Sequence, residues 1–585
     1  MYGTLIHFTP MRKMDRMTFP KSRFAEVFGL FLLLGAACRA DVDLATPLIP
    51  AGTPPPAEAR SVDDIMPHRN SVTIRTLRFR GVPPGSEVTA FEAINAFHAT
   101  RVEWVYVRPQ DVPMIEAVRA SGRVMGGAAS NGLRGDERQP GIALLDLDGD
   151  PVIQPHMRAW NNPHWVGDTS NRGYYALQLA EYKAAVDLGV DTIQRDESSG
   201  PVLLAQRNGA GFTETGLAGF RRWLYENVPT ARLHELGIAE PLAFDYAGHL
   251  RKLGAPVGDD FEDYDCAIKP YWFQYWEDTT AGYHRRLMRE VREYAGRPLT
   301  FSCNNTSIQL WSTIQQEFDF AISELLLETA NPVHIWDRAR RAREVGRMQI
   351  IGSPKTRGVE VDDSAKIALT RRVIATAYST GMASRVPWDI FQQTDDGAGR
   401  YFGHPRDYAD LYAFVRGHDW NGYGEVAVAG EGVDNPHRLP APSTRGGTGH
   451  VYRFVQEHKE DADAPLLVFM VDWGEPLTEP SGDYERLSLP GDSAKFPTDG
   501  EAHINRSAPE PFTLRLPRRG FRGVTSVTLR TPAPWDAGMH EAAARAGAFG
   551  ELVETREIPV RWTEDGHGEA AVPALEPWGI LSVER

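Results

Sequence analysis

The chain has 585 residues, three cysteines and a formal net charge of −15, and 42% of its residues are hydrophobic. That length exceeds one ordinary core and implies two or three domains, while the apolar content excludes a disordered chain and a polytopic membrane protein. The acidic excess is spread along the chain and argues against a nucleic-acid partner, and Cys38, Cys266 and Cys303 form neither a disulfide framework nor a CxxC pair for zinc.

Residues 1–40 read as an export signal: Lys21 and Arg23 precede an apolar run from Phe24 to Ala37, too short to span a bilayer, and cleavage falls after Ala40. A start at Met17 gives a signal of more usual length. Leu34–Cys38 also approximates a lipobox, with Gly35 where leucine is normally found, so a lipid anchor at Cys38 is the alternative. Either way the mature chain is expected outside the cytoplasm, periplasmic or extracellular, with no membrane span. Residues 41–70, with Pro54-Pro55-Pro56, read as a linker. Val72–Phe79 alternates as a short strand ahead of the main domain.

From about residue 90 the pattern switches repeatedly between helical and extended periods, the mark of α/β architecture. Strand candidates are Arg101–Arg108, Arg123–Ser130, Met157–Trp160, Val190–Glu197, Leu299–Asn304, Phe318–Leu325, Met348–Ser353 and Met382–Ile390. Between them lie helical stripes such as Tyr175, Leu179, Tyr182 and Val186, stopped by Gly189, and a helix over Thr280–Tyr294 stopped by Gly296. Eight such units over residues 71–422 predict a (β/α)8 TIM barrel. A doubly wound open sheet is the other arrangement, but no GxGxxG or GxxxxGKS/T loop follows any strand. Residues 423–585 change texture to short β-rich runs between Pro, Gly and Asp turns, from Gly446–Phe454 to Ile580–Val583, which predicts an all-β sandwich.

Parallel barrel strands aim their C-terminal ends at one mouth, so the residues that end each strand are the site candidates. Strand four ends in Arg195, Asp196 and Glu197 and strand six in Glu324, a carboxylate pair of the kind that acetal hydrolysis needs for its acid and its nucleophile or base. Asp389 is the alternative second acid. Asn161, Asn162, His164, Asn304, Asn305 and Asp389 are candidates to bind hydroxyls, and Trp160, Trp165, Trp272 and Trp388 to stack on sugar rings. Arg195, Lys269, Lys355 and Arg357 are candidates for an anionic group on the substrate. Each has a plain structural alternative: a helix cap for Asp196 and Glu197, a solvated acid for Glu324, charge balance for the cations, core packing for the indoles. Asp146–Asp150 suggests a calcium loop but lacks the distal glutamate, since residue 157 is Met157. There is no HExxH, no His pair with metal spacing and no GxSxG elbow, so neither a metal nor a cofactor is expected. A Cys266–Cys303 bridge stands against burial of Cys303 as a small hydrophobe.

Gly189-Val190-Asp191-Thr192-Ile193-Gln194-Arg195-Asp196 resembles the fourth-strand motif of barrel glycoside hydrolases of the α-galactosidase and α-glucosidase type, Gly-(Val/Ala)-Asp-x-hydrophobic-x-x-Asp. The resemblance implies that Asp196 is the nucleophile (or the base, if the enzyme inverts) and that the acid/base follows strand six, where Glu324 stands, although many of those enzymes use Asp there. The β-galactosidase-type barrels use Glu after strands four and seven; Glu197 fits the first, but Ile350–Pro354 offers no carboxylate for the second. The closing Val572–Ile580 is similar to the accessory domains of such hydrolases. The expectation is a glycoside hydrolase acting on a poly- or oligosaccharide, with Arg195 holding Asp196 ionised and burial raising Glu324. The alternatives are a polysaccharide lyase or other uronate-processing enzyme, and a non-catalytic glycan-binding protein on a degenerate barrel.

Overall fold

The computed structural model describes residues 45–52, 60–76, 88–130, 132–154, 157–158, 162–306, 311–326, 329–355, 363–391, 400–401, 403–474 and 508–584. The predicted export signal with Cys38, and Trp160, Asn161 and Arg357, lie outside them.

Eight parallel strands close into a barrel: β1 Val72–Ile74, β2 Arg101–Val105, β3 Val124–Ala129, β4 Thr192–Arg195, β5 Thr300–Asn304, β6 Phe320–Leu326, β7 Met348–Lys355 and β8 Ala383–Arg385. Val72 pairs with Ser384 and Thr73 with Arg101, so the run expected ahead of the domain is the strand that closes the ring. Met157 and Arg158 lie in a turn, which corrects the third strand candidate; a short apolar run has no period long enough to tell the two apart. One strand missed and one misplaced offset each other, and Val190–Glu197 still holds the fourth strand.

The main outer helices are α1 Ala90–Ala96, α2 Val112–Ala120, α3 Arg172–Asp187, α4 Lys269–Ala295, α5 Pro332–Glu344, α6 Asp363–Ser379 and α7 Pro405–Arg416. Helix α4 begins eleven residues before the predicted Thr280, because its aromatic run is helical and turns Trp272, Tyr275 and Trp276 onto one buried face. Gly296, at φ 59°, ends it in the left-handed conformation that glycine adopts without strain. Lys269 at its start donates to the carbonyls of Phe261, Glu262 and Tyr264 at 2.6, 2.8 and 2.8 Å. It pins the preceding loop and is not a substrate cation.

The closed end of the barrel is held by Asp191, the first acid of the strand-four motif. It accepts from Arg60 and Arg119 and from the Met125 amide, each at 3.1 Å. Two guanidinium groups and an amide satisfy a carboxylate that would otherwise be costly to bury. Arg60 and Asn70, assigned by composition to the linker, are therefore packed parts of the fold: Asn70 donates to the Val415 carbonyl at 2.9 Å. Higher in the barrel, Glu103 accepts from Arg101 at 2.5 Å and from Thr192 at 2.7 Å. Burial pushes its carboxyl up, and Arg101 and Thr192 oppose that. Gly126 makes room for the pair, since a Cβ there would stand 2.1 Å from Glu103 Oε2.

Nine antiparallel strands follow: β9 Tyr423–Ala429, β10 Ser443–Gly446, β11 Val451–His458, β12 Leu466–Asp472, β13 Phe512–Pro517, β14 Ser526–Pro532, β15 Val553–Trp562, β16 His567–Val572 and β17 Trp578–Val583. Their order is β9-β11-β12-β17-β14-β15-β16-β13-β10. The long β15 pairs with β14 along most of its length and with β16 at its end, so the sheet folds over into a sandwich. Val455, Val468 and Met470 from one half meet Leu514, Leu516 and Val572 from the other in one core. The alternate residues Phe454, Leu467, Phe469, Val471 and Trp578 belong to the barrel core instead. Strands buried on both faces read as continuous apolar runs, which is why Leu466–Val471 shows no alternation. Gln456 donates to the Ser379 carbonyl at 2.6 Å and Trp473 to Thr376 at 2.9 Å, welding the sandwich to α6. Cys266 and Cys303 are both free and buried, so there is no bridge between them. Among the described residues no helix is long and apolar enough to cross a membrane.

Candidate active site

The mouth is shaped first by a bulge. Val102 pairs with Met125 but Val105 with Gly127, so β2 carries one residue more than β3 over this span. Trp104 takes up the extra residue at φ 62°, a strained conformation for a bulky side chain. The bulge reverses the inward-outward alternation beyond it: Glu103 points in, Val105 joins the outer core, and Tyr106 points in again.

Strand β4 alternates regularly. Thr192 and Gln194 bond to the inward Glu103 and Ser302, and the next inward side chain is Asp196. One of its oxygens accepts from the Tyr106 hydroxyl at 2.7 Å and the other from Asn304 Nδ2 at 3.0 Å. The Asn304 amide is oriented by its other end, where Oδ1 accepts from the Thr306 backbone N–H at 3.1 Å and from the Thr306 hydroxyl at 2.6 Å. The Glu324 backbone N–H donates to that same hydroxyl at 2.9 Å. A single hydrogen-bonded chain thus runs from the carboxylate after β4, across the end of β5, to the backbone of the glutamate on β6. Asp196, Glu197 and Glu324 are all partly exposed. Burial, and then the Asp196 charge, push the Tyr106 hydroxyl well above its ordinary value, so it stays a donor.

The two acids of strand four diverge. Glu197 sits at φ 54°, and its Oε2 accepts from Gln154 Nε2 at 2.5 Å. Asp389, at φ 44°, is fully buried and accepts from Thr76 at 3.0 Å, which ties the ends of β8 and β1 together. Left-handed backbone at Trp104, Glu197 and Asp389 thus gathers where three strands reach the mouth, a pattern typical of sites that hold side chains in fixed positions.

Several expected site residues lie elsewhere. Arg195 is the outward neighbour of Asp196. Its guanidinium donates to the Ser130 carbonyl at 2.9 Å, to Tyr174 at 2.9 Å and to Gln178, between sheet and α3, so strand parity keeps it from serving as the Asp196 counter-ion. Its demand for polar partners also explains why the buried stripe of α3 includes Tyr174 and Gln178, one residue off the predicted stripe. Asn305 is outward for the same reason and exchanges amide hydrogen bonds with Gln349 at 2.7 and 3.0 Å. Trp272 is fully buried against Phe212 and Phe220, with ring centroids 5.0 and 4.9 Å away, and Trp388 is fully buried too, so neither is an open stacking surface. Lys355 closes β7 by its backbone, opposite Leu326.

Asn162 and His164 lie in the loop after β3, with Trp165 in a two-residue ribbon paired to Leu133. Asn162 is exposed and accepts from Arg138 at 2.5 Å. Burial, then the charges of Arg134 and Arg138, push His164 down to about 4, so it is neutral at neutral pH. Asp146 Oδ1 accepts from the Asp148 and Asp150 amides at 3.0 and 2.9 Å, closing its own turn. Among the described residues no cluster of His, Cys, Asp and Glu is set to hold a metal.

Sequence reasoning missed Tyr106, Gln154 and Thr306. Asn304-Asn305-Thr306 carried a signal, since Asn and Thr two apart favour a side-chain-closed turn. Tyr106→Phe removes a donor to a charged acceptor, worth about 1.5–3 kcal/mol. On any substrate that the wild type turns over, we expect kcat to fall about 10-fold or more with KM little changed, with an unchanged circular dichroism spectrum.

No family model matches the chain, and no curated protein matches it in sequence. Among solved structures it is similar to a Paenibacillus cycloisomaltooligosaccharide glucanotransferase complexed with cycloisomaltoheptaose, at 9% identity over 88% of this chain and 85% of that one, with a TM-score of 0.48. It is also similar to a maltogenic α-amylase from Thermotoga neapolitana (10% identity, 88% and 99% covered, TM-score 0.44). A third is a GH30 endoxylanase from Clostridium papyrosolvens (8% identity, 89% and 98% covered, TM-score 0.38). At such distances the functional argument rests on this chain's own residues.

Proposed function

We propose that the chain is a glycoside hydrolase that cleaves O-glycosidic bonds of a poly- or oligosaccharide outside the cytoplasm. Asp196 serves as nucleophile, or as base toward water if the reaction inverts, and Glu324 as general acid. The observation that supports this most directly is the seating of Asp196. Tyr106 and Asn304 occupy two of its roughly four lone-pair sites, which fixes the carboxylate and leaves the others for an electron-poor carbon or a water. The chain of bonds through Thr306 ties that position to the strand carrying Glu324. Hydrolysis by two carboxyl groups needs one immobilised carboxylate and one proton donor, and in this reading they stand at the ends of β4 and β6 with β5 between them.

A panel of plant, algal and bacterial polysaccharides, assayed for new reducing ends, tests the reading. New reducing ends without an unsaturated, ultraviolet-absorbing product are the expected result. Reducing ends accompanied by that absorbance identify a lyase and overturn it. Glycan retention on an affinity gel with no turnover, unaffected by the double variant Asp196→Asn/Glu324→Gln, identifies a binding protein and overturns it as well.

A further inference from the structure

We propose that Arg75 binds an anionic substituent of the sugar held at this mouth, the carboxylate of a uronic acid or a sulfate ester; the inference rests on the glycosidase reading of the same site. Arg75 follows β1 directly, and alternation with Thr73 turns its side chain into the barrel mouth. It is 5% exposed. Its guanidinium lies 4.5 Å from the centroid of the Trp104 ring, and its charge acts on Tyr106, whose hydroxyl holds Asp196. Among the described residues Arg75 has no hydrogen bond and no ion pair, and its Nε is shielded from solvent without a partner.

That is anomalous in this chain. Buried Arg60, Arg101 and Arg195 each donate to carboxylates, carbonyls or side-chain oxygens, as burying a charged donor demands. Acids outnumber bases 78 to 63, so partners were not scarce. Nor is Arg75 ion-paired with Asp196: among the described residues no salt bridge joins them, and Tyr106 and Asn304 are the groups that bond to the Asp196 carboxylate. The Trp104 face holds the guanidinium by cation–π attraction while consuming none of its five N–H donors. A flat fork fixed in this way suits an oxyanion that accepts two bonds at once. Two further guanidinium groups stand nearby: Arg385 lies 5.4 Å from the same Trp104 ring, and the exposed Arg134 lies 5.2 Å from the Tyr106 ring. A neutral sugar hydroxyl can accept a single bond from Arg75 but leaves its charge uncompensated, whereas an acidic group accepts two at once and neutralises it.

The kinetic test compares a uronic-acid polymer with its carboxyl-reduced form, and a sulfated polymer with its desulfated form. The proteins are the wild type, Arg75→Met, which keeps the stem packed on Trp104, and Arg75→Lys, which keeps the charge. Wild type is expected to prefer the acidic member of one pair. Arg75→Met should lower kcat/KM for that member by about 10–100-fold more than for its neutral counterpart, the worth of hydrogen bonds to a charged group, and Arg75→Lys should fall between. A wild-type preference for the neutral members, or equal losses on both members of a pair, overturns the assignment. Calorimetry with methyl glucuronide, glucose 6-sulfate and methyl glucoside separates this outcome from catalysis. Binding of either anion that weakens in Arg75→Met, or in Arg75→Lys should the first variant not fold, supports the assignment even where no glycan is cleaved, and only the glycosidase reading then fails. The anion that binds distinguishes uronate from sulfate. Anion binding indifferent to Arg75 overturns it.

Discussion

Asp196→Asn is expected to lower kcat on the order of 10⁴-fold, the scale seen when a group that acts in concert with its partners is removed from an active site. The substitution is nearly isosteric. Its carbonyl oxygen can still accept from Asn304, whose amide is held in one orientation by Thr306, and its new NH2 can face Tyr106, whose hydroxyl also accepts. What disappears is the charge that stabilises positive charge developing on the anomeric carbon. Fold and substrate affinity should therefore survive, and the loss should lie in kcat. Single-turnover kinetics beside thermal denaturation measure both quantities. Near-normal turnover by the variant would remove Asp196 from the mechanism and leave Glu197, held by Gln154, as the working acid of strand four.

How far this site was legible in the sequence follows from what strand periodicity encodes. Gly189–Asp196 announced a strand that ends in acids, because alternation and a stop glycine are local properties. Asp191 and Asp196 share one motif yet lie at opposite ends of β4, one clamped by Arg60 and Arg119, the other open to the mouth. Period-2 alternation alone also sends Arg195 and Asn305 outward, as the chain neighbours of the inward Asp196 and Asn304. Tyr106 was a different case. Counting from Arg101, it belongs to the outward set, and only the bulge at Trp104 brings it inside, an event that depends on register with β3. Trp272 misled for a third reason: a cluster of aromatic residues looks alike whether it lines a groove or packs the inner face of α4. The first barrel strand was short and lay beyond a Pro-rich stretch, and ring closure with β8 is a tertiary fact no local pattern records.

Glu324→Gln carries the second large expected effect, and its size depends on the substrate. A general acid contributes roughly 10²–10⁴-fold when the departing oxygen must take up a proton. Gln keeps the length of the side chain and leaves untouched the backbone N–H that donates to Thr306, so the seating of Asp196 is preserved. Natural glycans should therefore lose about 10²–10⁴-fold in kcat/KM, while aryl glycosides with acidic phenol leaving groups, which depart without a proton, should lose little. The alkaline limb of the pH–rate profile should vanish too, because the variant has no proton to give up there. Asp389, the other acid considered for this role, is fully buried and bonded to Thr76, so Asp389→Asn should disturb stability more than leaving-group dependence. Should leaving-group dependence instead appear in Asp389→Asn and be absent from Glu324→Gln, the acid would be Asp389 and the hydrogen-bonded chain through Thr306 would be a scaffold for Asp196 alone.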